Sequence, residues 1–360
     1  MGSIEAPRER ILIVFIRDLP PALIKEIREE FPGYELKIHR SDPGIPVPRE
    51  IWRWATVIVT FHDLPDPEDA VNVKLIHTVS AGVDHLIHRP CIKDTNITLT
   101  SSSGLHGPPI AEWCVMNWLV ASRNFISTHE AQKRHRWGAL EEYLHKYHDQ
   151  VGKKIGILGY GSIGRQIARV SAALGMTVYA YTASPKPTPE SRRDTGYIVP
   201  GTGDQDGSIP ASWHHGTDKE SIHSFLSLGL DHLVISLPLT PQTTRLLGKE
   251  EFALLHEKCS HRRCKPYITN ISRGKVIDQD ALIEALESGI LSGAALDVTD
   301  PEPLPKDHPL WDAPNLQLSP HVSSMGTEYF PRAMDILKIN LRRMEKGEEL
   351  INEFKRKRGY

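Results

Sequence analysis

The chain has 360 residues, 39% of them hydrophobic and 24% charged, which suits a soluble globular protein of two ordinary domains. A formal net charge of −2 gives no electrostatic footing for nucleic acid or an anionic membrane, and no apolar run reaches the roughly 18 residues of a membrane span. Four cysteines in this length point to reduced thiols and a cytoplasmic protein.

The N-terminal stretch MGSIEAPRER has no apolar signal core, and Ala6 stands where N-myristoylation requires Ser or Thr. Residues Ile11–Ile16 form a short β-branched apolar run, as in a strand buried on both faces. Pro20 and Pro21 then open an amphipathic helix over Ala22–Phe31. Ala55–Thr60 and Leu75–Val79 repeat the buried-strand pattern, so the first hundred residues read as a parallel α/β unit. Ile110–Asn124 is a long apolar helix. Gln132–Gln150 is polar and rich in His and Arg, and reads as a connector or an arm around Trp137.

A second α/β series starts at Lys154. Its expected strands are Ile155–Leu158, Val178–Tyr181, Leu233–Leu237, Tyr267–Asn270, Ala294–Leu296 and Leu316–Leu318, the number a full dinucleotide-binding sheet needs. Helices are expected at Ile163–Leu174, Gln279–Ser288 and Thr327–Glu349. Pro185–Ser221 is rich in Pro, Gly, Ser and Asp and reads as an inserted surface loop. Within it, Asp204-x-Asp206-Gly207 is too short for a calcium loop. His256-x2-Cys259-x-His261-x2-Cys264 lacks zinc-module spacing and lies in a charged stretch that reads as a solvated loop, so no metal is expected. The basic end Lys355–Arg358 reads as a solvated tail.

Gly159-Tyr160-Gly161-Ser162-Ile163-Gly164 is a G-x-G-x-x-G turn between a strand and a helix. In that context Gly159 permits a tight turn, Gly161 lets the backbone approach a pyrophosphate, and Gly164 allows close helix–strand packing. Eighteen residues past Gly164, where a carboxylate would hold the two ribose hydroxyls of NAD, stands Thr182. An acid there would repel a 2′-phosphate by roughly 4 kcal/mol at 4 Å and an effective dielectric of 20. Thr182, Ser184 and Lys186 instead offer two hydroxyls and a cation, which favours NADP(H) over NAD(H).

Three further segments follow strand ends, where open α/β sheets place their sites. They carry Arg273, Glu302 and His321. Arg273 can hold a substrate carboxylate and polarise a keto oxygen. His321 can give that oxygen a proton as hydride arrives. Glu302 can orient His321 and favour its protonated form, as an adjacent negative charge does.

The chain resembles the D-isomer-specific 2-hydroxyacid dehydrogenases over nearly its whole length. The matching stretches are VSAGVDHL (79–86), GPPIAEW (107–113), GYGSIG (159–164), LPLTPQTTRLLG (237–248), NISRGKVIDQDALIEAL (270–286), AALDVTDPEPLP (294–305) and LSPHVSS (318–324). The resemblance implies a catalytic Arg273–Glu302–His321 set and a substrate carboxylate met by backbone amides at Ala81 and Gly82. It implies cofactor contacts at Leu237 and Pro238 on the adenosine side and at Asp297 near the nicotinamide amide, with Ile271 and Ser323 beside them. It also implies a Rossmann domain, 119–321, inserted into a flavodoxin-like substrate domain, 1–118 and 322–360, and a homodimer through the cofactor domain.

The activity so implied is NAD(P)H-dependent reduction of a small 2-keto acid, glyoxylate or hydroxypyruvate among them, to the D-2-hydroxy acid. Glu302 argues against a formate dehydrogenase, which needs no acid partner for its histidine. A cofactor-sensing corepressor on the same fold is the alternative. Phe61, His62, Arg17 and Met325 are candidates to border the substrate side chain. The sequence departs from the family in the missing acid, the long 185–221 segment and the stretch HEKCSHRRCK.

Overall fold

The protein, described by a computed structural model, is defined at residues 9–16, 18–42, 44–144, 146–259 and 265–356. Arg17, His261, Cys264, Lys357, Arg358 and the N-terminal stretch through Arg8 lie outside the described residues. The chain divides into two compact units, 1–105 with 327–360, and 106–326.

The first unit holds a parallel sheet of β1 (Glu9–Phe15), β2 (Tyr34–Arg40), β3 (Val57–Thr60), β4 (Leu75–Thr78) and β5 (Thr98–Thr100). Its order is β2-β1-β3-β4-β5, the flavodoxin-like order. Every residue of β3 and β4 is buried, the apolar Val57–Val59 and Leu75–Ile76 together with the polar Thr60, His77 and Thr78. β2 lies at the edge and alternates between half-buried and exposed positions, which is why YELKIHR carries no continuous apolar run.

The helix Tyr329–Lys346 completes this unit. Ala333, Met334, Ile336, Leu337 and Leu341 on one face are wholly buried. Its Lys338 ammonium, itself buried, binds Glu26 at 2.5 Å and Glu30 at 3.5 Å of the helix Pro21–Glu30. Phe330 meets Phe15 of β1 edge-on at 5.3 Å.

The second unit holds β6 (Lys154–Leu158), β7 (Thr177–Thr182), β8 (Ser212–His215), β9 (His232–Ile235), β10 (Tyr267–Asn270), β11 (Gly293–Leu296) and β12 (Leu316–Leu318). All pairs are parallel, in the order β12-β11-β10-β9-β6-β7-β8. Counted from β6 this is the Rossmann order 3-2-1-4-5-6 with a seventh strand added. The fold is therefore a Rossmann unit inserted into a flavodoxin-like one.

Two expectations change. The helix Gly107–Ser122 belongs to the second unit. Its Ile110, Ala111, Cys114 and Trp118 share a core with Ile155, Ile157 and Ile167, and Trp118 Nε1 donates to Thr269 Oγ1 at 2.9 Å. The boundaries accordingly fall at 105/106 and 326/327 rather than at 118/119 and 321/322. Pro185–Ser221 is not a plain loop either. It contains β8, which pairs with β7 from Tyr179↔Ser212 to Thr182↔His215, and it ends in a helix that begins at Lys219 behind the Asp218 cap.

His77 on β4 is fully buried, with Nδ1 at 2.9 Å from Thr100 Oγ1 and Nε2 at 3.1 Å from Ser102 Oγ. Burial pushes its pKa down to about 4 from 6.5. The unfolded chain therefore takes up this proton below pH 6.5 while the native chain does not until near pH 4. Stability from this group is whole above 6.5 and falls as pH drops through that window, by up to about 3 kcal/mol. Urea titrations of wild type and His77→Gln between pH 7.5 and about 4.5 should show the steeper loss in wild type; equal slopes would remove His77 as its source.

Candidate functional site

The fingerprint turn joins β6 to the helix Ser162–Ala173. Gly159 has φ +94°, and a Cβ on it would sit 2.2 Å from the Ser236 carbonyl oxygen just past β9. A Cβ on Gly164 would sit 2.3 Å from the Gly159 carbonyl oxygen. These two glycines are demanded by the protein's own packing. Gly161 is different, because a Cβ there would meet nothing within 4 Å. Its amide and those of Ser162 and Ile163 open a helix N-terminus, so the space above Gly161 is a cradle that a side chain would fill. That is what a dinucleotide pyrophosphate requires of these residues.

Tyr160 is corrected in one respect. Its side chain is buried and its hydroxyl donates to Asp204 Oδ2 at 2.8 Å, so only its backbone is left for a cofactor. Ile271 is likewise buried among the core side chains of this unit. Thr182 closes β7 beside His215, and its hydroxyl donates to the Ser184 carbonyl at 2.8 Å. Ser184 is exposed and Lys186 half-buried, with no carboxylate among residues 182–188. Leu237 is half-buried and Pro238 exposed just past β9, on the segment against which Gly159 packs.

The chemistry-bearing residues come from three neighbouring strand ends. Beyond β10, Asn270 organises the turn: its Oδ1 accepts from Ser272 N and Oγ, and its Nδ2 donates to the Arg273 carbonyl at 3.0 Å. The Arg273 guanidinium donates to the Ser272 carbonyl at 2.8 Å. Gly274 then passes so close to Thr299 that a Cβ would lie 2.0 Å from its carbonyl carbon. Only glycine lets the Arg273 turn and the loop after β11 approach this closely.

That second loop carries Glu302, whose Oε1 accepts from Thr299 N at 3.0 Å and whose Oε2 lies 3.0 Å from His321 Nδ1. The carboxylate, which can only accept, receives a hydrogen bond from Nδ1–H, which leaves Nε2 for a substrate. His321 is 46% exposed, open enough to meet one. It has φ +56°, in the left-handed region.

The turn bearing His321 is held by Asp297. This carboxylate is only 2% exposed. It accepts from Ser319 Oγ at 2.5 Å, Val322 N at 2.9 Å, Ser323 N at 3.0 Å and Ser323 Oγ at 2.5 Å. Asp297 and Ser323, expected as cofactor contacts, are thus bonded to each other. Sequence reasoning missed this anchoring and the part played by Asn270. The available signal was an Asn or Asp closing a buried strand ahead of a Ser-rich turn.

Ala81 and Gly82 lie in the first unit, in the turn after β4. Ser80 Oγ donates to the Gly82 carbonyl at 2.7 Å, which shapes the turn. Among the described residues the half-buried amides of Ala81 and Gly82 donate to nothing, as an anion-receiving pair would. Phe61 and His62 also lie in this unit, their rings edge-on at 4.2 Å, and burial lowers the His62 pKa. Met325 lies in the second unit and is exposed. Cys259 Sγ sits 3.5 Å from Asp231 Oδ1, while its expected neighbours His261 and Cys264 are outside the described residues.

A Rossmann sheet with a dinucleotide cradle, and an arginine, glutamate and histidine at its strand ends, define an oxidoreductase of the CH–OH class. The family model for the NAD binding domain of D-isomer specific 2-hydroxyacid dehydrogenases matches residues 115–199 and 208–323. Glyoxylate reductase of Thermofilum pendens is 31% identical over 283 residues, 78% of this chain and 74% of that one. Human glyoxylate reductase/hydroxypyruvate reductase is 30% identical over 286 residues, 79% and 77% of the two chains. The crystal structure of an NADPH-dependent glyoxylate/hydroxypyruvate reductase from Sinorhizobium meliloti, in complex with NADP and sulfate, aligns with TM-score 0.71 at 25% identity over 98% of this chain and 100% of that one. The chain belongs to the D-isomer-specific 2-hydroxyacid dehydrogenase family.

The three fingerprint glycines should separate by experiment. Gly161→Val should leave stability within about 0.5 kcal/mol yet raise the dinucleotide Kd about tenfold or more. Gly164→Val should instead destabilise the fold by about 1–3 kcal/mol. Thermal melts and fluorescence titration with NADH and NADPH read both; equal melting losses would dissolve the distinction.

Proposed function

We propose that this protein is an NADPH-preferring reductase of a small 2-keto acid, glyoxylate or hydroxypyruvate, forming the D-2-hydroxy acid, and that it runs the reverse oxidation as well. The observation that carries this is the Glu302–His321 pair at 3.0 Å, which joins the segments after β11 and β12 beside the β10 end that bears Arg273. The reductases among its relatives support the choice of substrate.

When bound, the dinucleotide supplies the hydride. Arg273 pairs with the substrate carboxylate and polarises the keto oxygen. In the first unit, the Ala81 and Gly82 amides offer two further donors to an anion. His321 Nε2 gives its proton to the keto oxygen while Glu302 holds Nδ1 and offsets the imidazolium charge. Gly159, Gly161, Ser162, Ile163 and Gly164 hold the pyrophosphate, with Leu237 and Pro238 flanking the adenosine. The polar strand end at Thr182, Ser184 and Lys186, free of carboxylates, supports NADPH. The glyoxylate and hydroxypyruvate reductases among its relatives favour turnover over a corepressor-like role, since the Arg273–Glu302–His321 set by itself does not tell the two apart.

The exposed Trp137, Leu140 and Leu144 border an apolar groove along the arm with Tyr143 and Tyr147, which supports a homodimer through the second unit. Cys91 and Cys114 are buried free thiols, and burial pushes the pKa of Cys91 up to about 11, in keeping with a cytoplasmic protein.

His321→Ala should cut kcat for glyoxylate and hydroxypyruvate by about 100-fold or more while dinucleotide affinity stays near wild type. Near-normal turnover would remove His321 from its role. Thr182→Asp should move the NADPH/NADH ratio of kcat/KM about tenfold or more toward NADH; an unchanged ratio would show that this strand end does not meet a 2′-phosphate.

A further inference from the structure

The family match breaks at residues 200–207, yet the structure ties this stretch firmly to the cofactor turn. Asp204 is buried. Its carboxylate accepts from Tyr160 OH at 2.8 Å, Ser208 N at 3.0 Å and Ile209 N at 3.2 Å, so one anion closes its own loop and grips the fingerprint.

Arg165, in the first turn of the helix that the fingerprint opens, makes a second tie. It donates to the Asp204 carbonyl at 2.5 Å and the Arg192 carbonyl at 2.6 Å, and lies 3.6 Å from Asp194 Oδ2. Its guanidinium sits 5.2 Å from the Tyr160 ring centroid and 5.7 Å from that of Trp213, the two rings meeting edge-on. Gln166, the next residue, accepts at Oε1 from Gly203 N at 2.6 Å, and Arg169, one turn further along the helix, donates to the Gly203 carbonyl at 3.2 Å.

We infer that residues 192–209 form a brace for the dinucleotide-binding turn, and that Asp204 is a positioning residue which acts on cofactor affinity through Tyr160. Tyr160 stands between Gly159 and Gly161, so fixing its side chain fixes the peptide planes on either side. Gly161 has no side chain to be held, and among the described residues its carbonyl accepts only from Arg165 N, at 2.9 Å, a residue tied to the same brace. A flexible turn would have to be ordered at the moment of binding, and the brace removes that cost beforehand. The inference rests on the fingerprint's binding a nicotinamide dinucleotide. It concerns the part common to NADH and NADPH, so it does not depend on which is preferred.

The test is a double-mutant cycle on the full-length protein, with Kd for NADH and NADPH measured by fluorescence titration well below the melting temperature. Tyr160→Phe and Asp204→Asn should each raise both Kd values by about fivefold or more, equally for the two dinucleotides. The double variant should be little worse than Asp204→Asn alone, because Tyr160→Phe removes only a bond that the first change has already weakened. For Asp204→Asn the loss should appear in Kd and not in kcat at saturating dinucleotide.

The brace is overturned if both variants fold and bind within about twofold of wild type, if only melting temperature changes, or if only NADPH binding suffers. Should Asp204→Asn fail to fold, Tyr160→Phe, which keeps the ring, decides alone. The same titrations keep the two readings apart: a wild type that binds NADH more tightly counts against the 2′-phosphate reading, while the shift common to both dinucleotides still decides the brace.

Discussion

The chemistry of the second unit depends on one buried anion. The carboxylate of Asp297 ends β11, and all the groups donating to it come from Ser319, Val322 and Ser323, on either side of His321. A carboxylate removed from water must collect donors or lose several kcal/mol, and here the chain supplies them by wrapping the turn after β12 around the end of β11. His321 N also donates to the Asp297 carbonyl at 2.8 Å. The left-handed backbone of His321 follows from that wrapping. Such a conformation costs about 1–3 kcal/mol in a residue other than glycine and persists only when its surroundings enforce it. Glu302 lies on the loop that Asp297 begins, so the histidine and its partner carboxylate hang from a single anchor.

A second constraint works by contact rather than by charge. Gly159 against Ser236, Gly164 against Gly159, and Gly274 against Thr299 are places where backbone touches backbone with no room for a methyl group. They draw the ends of β6, β9, β10 and β11 toward one side of the sheet. Parallel strands already send their carboxyl ends the same way. Polar networks hold side chains in place, and glycines set how near the segments bearing them can come.

Much of this was legible in the sequence because strands buried on both faces must be continuously apolar. Tyr267–Asn270 and Leu316–Leu318 lie where the pattern puts them, and the Arg273, Glu302 and His321 segments follow from those strand ends. What escaped were three of the four edge strands, β2, β5 and β8. β2 reads YELKIHR and β8 reads SWHH, polar because one side or one face needs no burial. The composition of 185–221 suggested a loop, although a sheet with its first two strands in Rossmann order still wanted a third beside them. The roles of Asp297, Asn270 and Asp204 were hidden for another reason. A short polar residue looks alike in sequence whether it faces a ligand or bonds a backbone turn, and only tertiary closure decides between them.

The interrupted course of the first unit bears on how the chain is made. Its sheet is encoded by residue 100, but the helix Tyr329–Lys346, whose Phe330 meets Phe15 edge-on, follows about 230 residues later. At translation rates of roughly 5–20 residues per second the ribosome needs some 10–40 s to cross that interval. All strands of the second unit emerge within it. The unit that begins first is therefore the last to be closed, and until then its sheet has the helix Pro21–Glu30 but not that helix's C-terminal neighbour, a window in which a nascent-chain chaperone would find its binding surface.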